Sequence, residues 1–261
     1  MSQQNFTDQL SRQISVNFPP KRIISLVPSQ TELLFDMGLG AEIIGITKFC
    51  KYPSGKIKSK TKIGGTKKLY LDKIRNLKPD LIIGNKEENE QVQIETLMQE
   101  FPVWISDISD LRGALEMITC IGELVNRKIE SAVITQQMAQ RFNALHKAAK
   151  TLKVAYLIWQ KPYMVAGVDT FINDMLQRCG WQNIINTDRY PVVTIHDLNE
   201  ADVIMLSSEP YPFKQKHADF ISTLCPQSKV ILVDGEMFSW YGSRLLKAAD
   251  YFEQLITALN N

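Results

Sequence analysis

Short apolar runs rich in β-branched residues alternate along this chain with longer stretches whose apolar residues recur at helical spacing. Residues 22–27 (RIISLV) and 153–159 (KVAYLIW) are two such runs, each followed by a turn and a helical pattern. LKPDLIIG (77–84) is echoed by LNEADVIMLS (198–207): a polar shoulder, an Asp, then a buried-strand run. Strands alternating with amphipathic helices predict βαβ units and mostly parallel sheets. The echo, at a spacing of roughly 120 residues, predicts two related Rossmann-like α/β lobes rather than one long sheet. Between the runs, Leu111, Leu115, Ile118, Ile121 and Val125 keep helical spacing. A second stretch from about Lys128 to Lys150 contains neither Pro nor Gly and places Ile129, Val133, Phe142, Leu145 and Ala149 near one face. It predicts a single rigid connecting helix. The expected organisation is an N-terminal α/β lobe over 20–125, a connecting backbone helix over 126–151 and a C-terminal α/β lobe over 152–258.

Ligands of open α/β sheets bind outside the carboxyl ends of the strands, and those ends can be read here. After Val27 comes Pro28-Ser29-Gln30-Thr31-Glu32, in which Ser29 has the position of an N-cap and Glu32 the spacing of a capping box. The helix is expected to stop at Gly38 or Gly40, and its N-terminus offers Pro28 and Ser29 to a ligand. The next strand ends lead to Phe49 and Tyr52, then to Thr66 and Lys67, then to Asn85, Glu87 and Glu88. The acidic pair also suits the first turn of a helix. Residues 48–68 hold eight lysines, read either as solvated surface or as a field that draws in an anionic ligand. In the second half, strand ends and one loop present Trp159 and Tyr163, Tyr190, Glu209 and Tyr211, and Phe238, Trp240 and Tyr241. Aromatic residues beside Pro and Gly at several independent strand ends suit a large planar or amphipathic small molecule.

Composition narrows the function. Thirty basic against 28 acidic residues leave a net charge of +2, which lacks the basic excess of a nucleic-acid binder. No apolar run reaches the 18 or so residues of a membrane span. The four cysteines lie far apart with no CxxC, and are expected as buried free thiols, as suits a reducing compartment. MSQQNFTDQLSRQ has no basic or apolar signal region, which points to the cytoplasm or to an address already removed. The three histidines are scattered, and HExxH, GxSxG, P-loop and strand-following GxGxxG patterns are missing. A protein-only metal cage, an intrinsic cofactor and a catalytic residue are therefore not expected.

RIISLVPSQTELLFDMGLGAEIIGITKFCKYP (22–53), LDKIRNLKPDLIIG (71–84), FINDMLQRCGWQNI (171–184), DLNEADVIML and SRLLKAADYFEQL together resemble the ABC-transporter substrate-binding proteins of the vitamin B12, ferric-siderophore and haem class. These are helical-backbone metal receptors, and the likeness covers about 20–257. The resemblance implies two α/β lobes on a backbone helix with the ligand in the cleft between them. It implies a monomer that captures a metal chelate (corrinoid, ferric siderophore or haem) and delivers it to a membrane permease, with no catalysis, in the periplasm or at the cell surface. It also implies an acidic permease-docking residue on each lobe: Asp72 matches the first, and the second falls on His196, beside Asp197. Two family tryptophans fall on Thr66 and near Val192, with Tyr190 close to the latter. Trp159 and the Trp240–Tyr241 pair stand as replacement faces. The alternatives are a non-exported chelate-binding protein and a chelatase-like enzyme acting on a tetrapyrrole, for which His196 is the candidate base.

Overall fold

The computed structural model describes residues 2–260, which divide into two compact units. The first comprises residues up to Ile108, Arg112–Gln137 and the distant segment Tyr241–Arg244; the second comprises Ser109–Leu111, Met138–Trp240 and Leu245 onward. No helix of the described residues is long and apolar enough to cross a membrane.

The first unit opens with an antiparallel hairpin, β1 (Ser2–Thr7) and β2 (Gln13–Phe18), which lies ahead of the expected lobe boundary at residue 20. There follow β3 (Ile23–Ser25), α1 (Pro28–Asp36), β4 (Ile43–Ile46), a 3₁₀ turn at Ile57–Ser59, β5 (Thr61–Lys62), α2 (Leu71–Leu77), β6 (Leu81–Asn85), α3 (Gln91–Met98), β7 (Val103–Ser106), α4 (Leu111–Leu124) and α5 (Lys128–Ala144), of which Leu111 and the residues of α5 from Met138 on are counted with the second unit. The five strands β5-β4-β3-β6-β7 form an all-parallel sheet. The chain runs outward from β3 in one direction and returns through β6 in the other, so the strand order reverses beside β3. The core joins Ile24, Ile82 and Val103 of the strands, and Leu26 and Ile63 beside them, to Ile74 of α2 and Leu97 of α3, which cover the parallel sheet. The hairpin turn covers the edge of β7. Asp8 accepts the N–H groups of Leu10, Arg12 and Ile105 and pairs with the Arg12 guanidinium, while Gln9 N–H donates to Ile105 O.

Helix α1 begins two residues earlier than the capping-box reading predicts. Val27 is the N-cap and Pro28 occupies the first turn, where its fixed φ and missing N–H cost nothing. Ser29 is buried inside the helix, and Glu32 turns away to another partner. The predicted stop holds: Gly38 has φ +80°, Leu39 N–H donates to Leu34 O and Gly38 N–H to Phe35 O, a Schellman closure. Helix α5 departs from expectation twice. Its buried face is Ser131, Ile134, Met138 and Phe142, while Ile129 and Val133 are exposed. It also ends at Ala144 rather than near Lys150, because tertiary partners take over the backbone: His146 N–H donates to Glu253, and Ala148 N–H to Cys179 O.

The second unit contains β8 (Lys153–Trp159), β9 (Tyr163–Val165), α6 (Phe171–Arg178), β10 (Gln182–Asn183), β11 (Val192–Val193), a 3₁₀ turn at Ile195–Leu198, β12 (Val203–Ser207), α7 (Gln215–Leu224), β13 (Lys229–Val233), α8 (Gly235–Ser239) and α9 (Leu245–Asn260). Its sheet runs β11-β9-β8-β12-β13, with β10 also on β8. Strands β8, β12 and β13 are parallel, and β9 returns antiparallel beside β8. Thr170 caps α6 by accepting Asn173 N–H. The core joins Leu157, Val165, Ile204, Leu206, Phe213 and Ile221. All four cysteines are free; Cys50, Cys179 and Cys225 are buried, and Cys120 is half-buried.

Candidate functional site

The carboxyl ends of the first unit's strands bring together one group of the predicted residues. Pro28, at the start of α1, is half-buried. Phe49 follows β4 and is 50% exposed. Its ring rests against Gly65, where an added Cβ would lie 2.9 Å from Phe49 Cε2, so the loop's Gly is what lets the ring lie there. Thr66 is half-buried and its carbonyl accepts Asn89 Nδ2. Lys67 is exposed, and its ammonium donates to Glu87 O at 2.6 Å, tying the loop after β5 to the loop after β6. Glu87 and Glu88 are half-buried and precede α3 rather than filling its first turn.

Asn85 and Ser29 have structural duties instead. The Asn85 side chain is 2% exposed and fully engaged: Oδ1 accepts the N–H groups of Glu87 and Glu88, and Nδ2 donates to the carbonyl and Oγ of Ser106. It builds the turn that presents the glutamates. Ser29 packs under the chain at Gly242, whose added Cβ would lie 2.5 Å from Ser29 O.

Two residues of the first unit, Arg244 and Gln30, escaped sequence reasoning. Arg244 pairs in bidentate fashion with Glu32, at 2.9 and 2.8 Å, with side chains 4% and 8% exposed, and its guanidinium lies 3.8 Å from the Tyr52 ring centroid. One face of half-buried Tyr52 is thus covered. No local spacing links positions 32, 52 and 244. Gln30 is buried among Gly84 and Ser106, and its Oε1 has no hydrogen-bond partner among the described residues.

In the second unit the ends of β8 and β12 are neighbours, since Leu157 pairs with Leu206 and Tyr211 N–H reaches Ile158 O. Trp159 is 40% exposed and meets Tyr211 edge-on at 5.7 Å; Tyr211 in turn contacts Phe213 at 4.7 Å and His217 at 5.5 Å. Tyr211 Oη donates to Gln160 Oε1 at 3.0 Å, and His217 Nε2 faces Tyr211 Oη at 3.4 Å. Because His217 Nδ1 accepts Lys214 N–H at 2.8 Å, the neutral ring carries its proton on Nε2. Burial, then the charges of Lys216 and Lys214, hold the imidazole below its ordinary pKa of 6.5. His217, in the first turn of α7, thus orients Tyr211.

This predicts an acid-sensitive aromatic cluster. A histidine depressed in the fold adds stability that is complete above its unfolded pKa and is lost as pH falls through the lower, folded value. Thermal unfolding from pH 7.5 to 5 should show a decline below about pH 6.5 that is smaller in His217→Asn, whose amide can accept the same Lys214 N–H.

The remaining aromatic candidates divide by burial. Phe238 has no exposed surface and packs between Tyr156 at 4.9 Å and Phe252 at 4.8 Å; it is a core residue. Trp240 is 7% exposed, and its Nε1 donates to Glu209 Oε1 at 2.6 Å, which Ser239 Oγ also donates to. Tyr241, in the first unit, is buried. Trp240 and Tyr241 are buried, and of the three expected replacement faces only Trp159 is exposed. Tyr163 is half-buried against the core, Tyr190 is half-buried and Val192 is exposed. His196 lies in the 3₁₀ turn leading into β12, at that strand's amino end rather than its carboxyl end. Asp72 stands in the first turn of α2 with its side chain 93% exposed, and Arg75 holds it at 3.0 Å.

Comparison with known proteins identifies the family. The model of the periplasmic binding protein family matches residues 23–217. The chain is 29% identical over 192 residues to the vitamin B12-binding protein of Vibrio campbellii, covering 70% of this chain and 68% of that one. It is 26% identical over 253 residues to the vitamin B12-binding protein of Pectobacterium carotovorum, covering 92% and 90%. The fold is that of the periplasmic heme-binding protein RhuT from Roseiflexus, with a TM-score of 0.81 at 17% identity over 92% of this chain and 99% of that one. The family and these relatives are binding proteins, not enzymes. The chain belongs to the periplasmic binding protein family.

Proposed function

We propose that this chain is a solute-binding protein that captures a metal chelate (a corrinoid, a ferric siderophore or a haem) in the periplasm or at the cell surface and hands it to an ABC-transporter permease. The observation that carries this reading is the open face of Trp159, held edge-on by Tyr211 at the paired ends of β8 and β12. A flat, polarisable face of that kind takes a macrocycle or an aromatic chelator by stacking and gains nothing from transforming it. Phe49, Thr66, Lys67, Glu87 and Glu88 add an aromatic edge and fixed polar groups at the ends of the first unit's strands. Pro28, Tyr163, Tyr190, Glu209 and Tyr211 complete the proposed ligand-contacting set.

Asp72 is the proposed contact for a permease arginine in the first unit, and His196 with Asp197 the counterpart in the second. Thr194 N–H and Oγ both donate to the Asp197 carboxylate, which holds its pKa below the usual 3.8 and keeps it charged for that contact.

Replacing Trp159 by alanine should weaken chelate binding by about tenfold while leaving the melting temperature within a few degrees of the parent, since a half-open ring stabilises ligand more than fold. Titration calorimetry with haemin and with cyanocobalamin measures this. Unchanged affinity in the variant for a chelate that does bind would remove Trp159 from the site.

A further inference from the structure

We propose that the lysine-rich flank over residues 48–68 is a docking face for an anionic phospholipid surface. From Ile43 to Leu71 the chain carries eight lysines, no arginine and no acidic residue, leaving 22 basic against 28 acidic residues elsewhere. The molecule therefore has one strongly positive flank on an otherwise acidic body. Lys48, Lys56, Lys58, Lys67 and Lys68 are exposed, and none of these five is paired with a carboxylate among the described residues. Their charge is not spent inside the fold.

The placement argues for an extended partner. Lys48, Lys67 and Lys68 flank the loops at the strand carboxyl ends. Lys56 and Lys60 line an open recess with Phe35, Gly40 and Ser59 at the far, carboxyl end of α1, where the Lys60 ammonium donates to Gly40 O. A charge field that spans one unit from end to end exceeds what a small chelate needs for steering. The residue type argues for a diffuse partner. Lysine is a compact, hydrated point charge without arginine's planar fork, so it suits delocalised attraction to an array of headgroups rather than bidentate recognition of one phosphate. Clusters of four to eight such charges recognise anionic bilayers, each contributing about fivefold to partitioning. Half-exposed Phe49, with the Lys48 ammonium 5.0 Å from its ring centroid, supplies an apolar side chain of the kind that inserts at the headgroup–acyl boundary. Single-stranded nucleic acid would call for a row of open aromatic faces, and Arg244 covers a face of Tyr52 in this stretch.

The test is co-sedimentation of the whole protein with vesicles containing roughly 30% phosphatidylglycerol in phosphatidylcholine, against pure phosphatidylcholine, at low and high salt. Binding should be confined to the anionic vesicles and lost at about 0.5 M salt. The triple variant Lys56→Gln, Lys58→Gln and Lys68→Gln, outside the proposed chelate contacts, should bind roughly 100-fold more weakly with an unchanged circular dichroism spectrum and melting temperature. The proposal is overturned by equal binding to both vesicle types or by parental binding of the triple variant. It is overturned equally by displacement with millimolar inorganic phosphate, which would mark a free-anion site, or by tighter binding to DNA than to the vesicles. Each of these outcomes is independent of whether a chelate binds.

Discussion

Arg244→Met should lower the stability of the protein by about 3–5 kcal/mol, because it leaves the Glu32 carboxylate buried without its counter-charge. For a chain of this size that corresponds to a fall in melting temperature of roughly 10 °C. Both Glu32 oxygens are taken by the guanidinium, and the same guanidinium lies against Tyr52, so its removal strands a charge and uncovers a ring together. The double variant Glu32→Leu with Arg244→Met should recover most of the loss, since a buried pair replaced by apolar groups of similar volume is often neutral. Urea unfolding followed by circular dichroism measures both. A single-variant loss below about 1 kcal/mol would mean that the pair is solvated and stabilises as little as a surface bridge.

Phe238→Ala should cost a similar 3–5 kcal/mol, the value for emptying a large aromatic site in a packed core. The ring touches Tyr156 and Phe252 and lies 6.3 Å from Tyr251, and none of these can move into the gap without leaving its own neighbours. The companion expectation separates core from site. The folded fraction of Phe238→Ala should bind chelate as the parent does, whereas Trp159→Ala should lose affinity and keep its stability. If Phe238→Ala instead weakened binding at constant stability, Phe238 would belong to the ligand surface.

The contrast between these two aromatic residues shows what the sequence carried. Strand β8 appears over the predicted residues 153–159, and the Gly38 stop of α1 is found, because β-branched runs and a left-handed glycine are local signals. The same runs gave the parallel sheets and, with the quoted motifs, the family. Burial of aromatics was not legible: Trp159, Phe238 and Trp240 all follow strands, and only the packing of α8 and α9 decides which remains open. The Glu32–Arg244 pair joins positions 212 residues apart, and no spacing rule reaches that far. Strand β1 of the N-terminal hairpin was not legible because SQQNFT lacks the alternation that marks a half-buried strand, whereas β2 carries it in Ile14, Val16 and Phe18 and has no second apolar strand beside it in the sequence to declare a hairpin. The early end of α5 was missed because tertiary hydrogen bonds, not a glycine or proline, stop it.

The account stands most directly on whether the purified chain binds a metal chelate. Titration with haemin, cyanocobalamin and a ferric catecholate siderophore, read by tryptophan fluorescence and by melting temperature, gives the answer. At least one of them should quench fluorescence saturably and raise the melting temperature, by about 2.7 kcal/mol of added stability at 100 times its Kd. If none does so at saturating concentration, while the protein remains folded, the chelate-binding account is wrong.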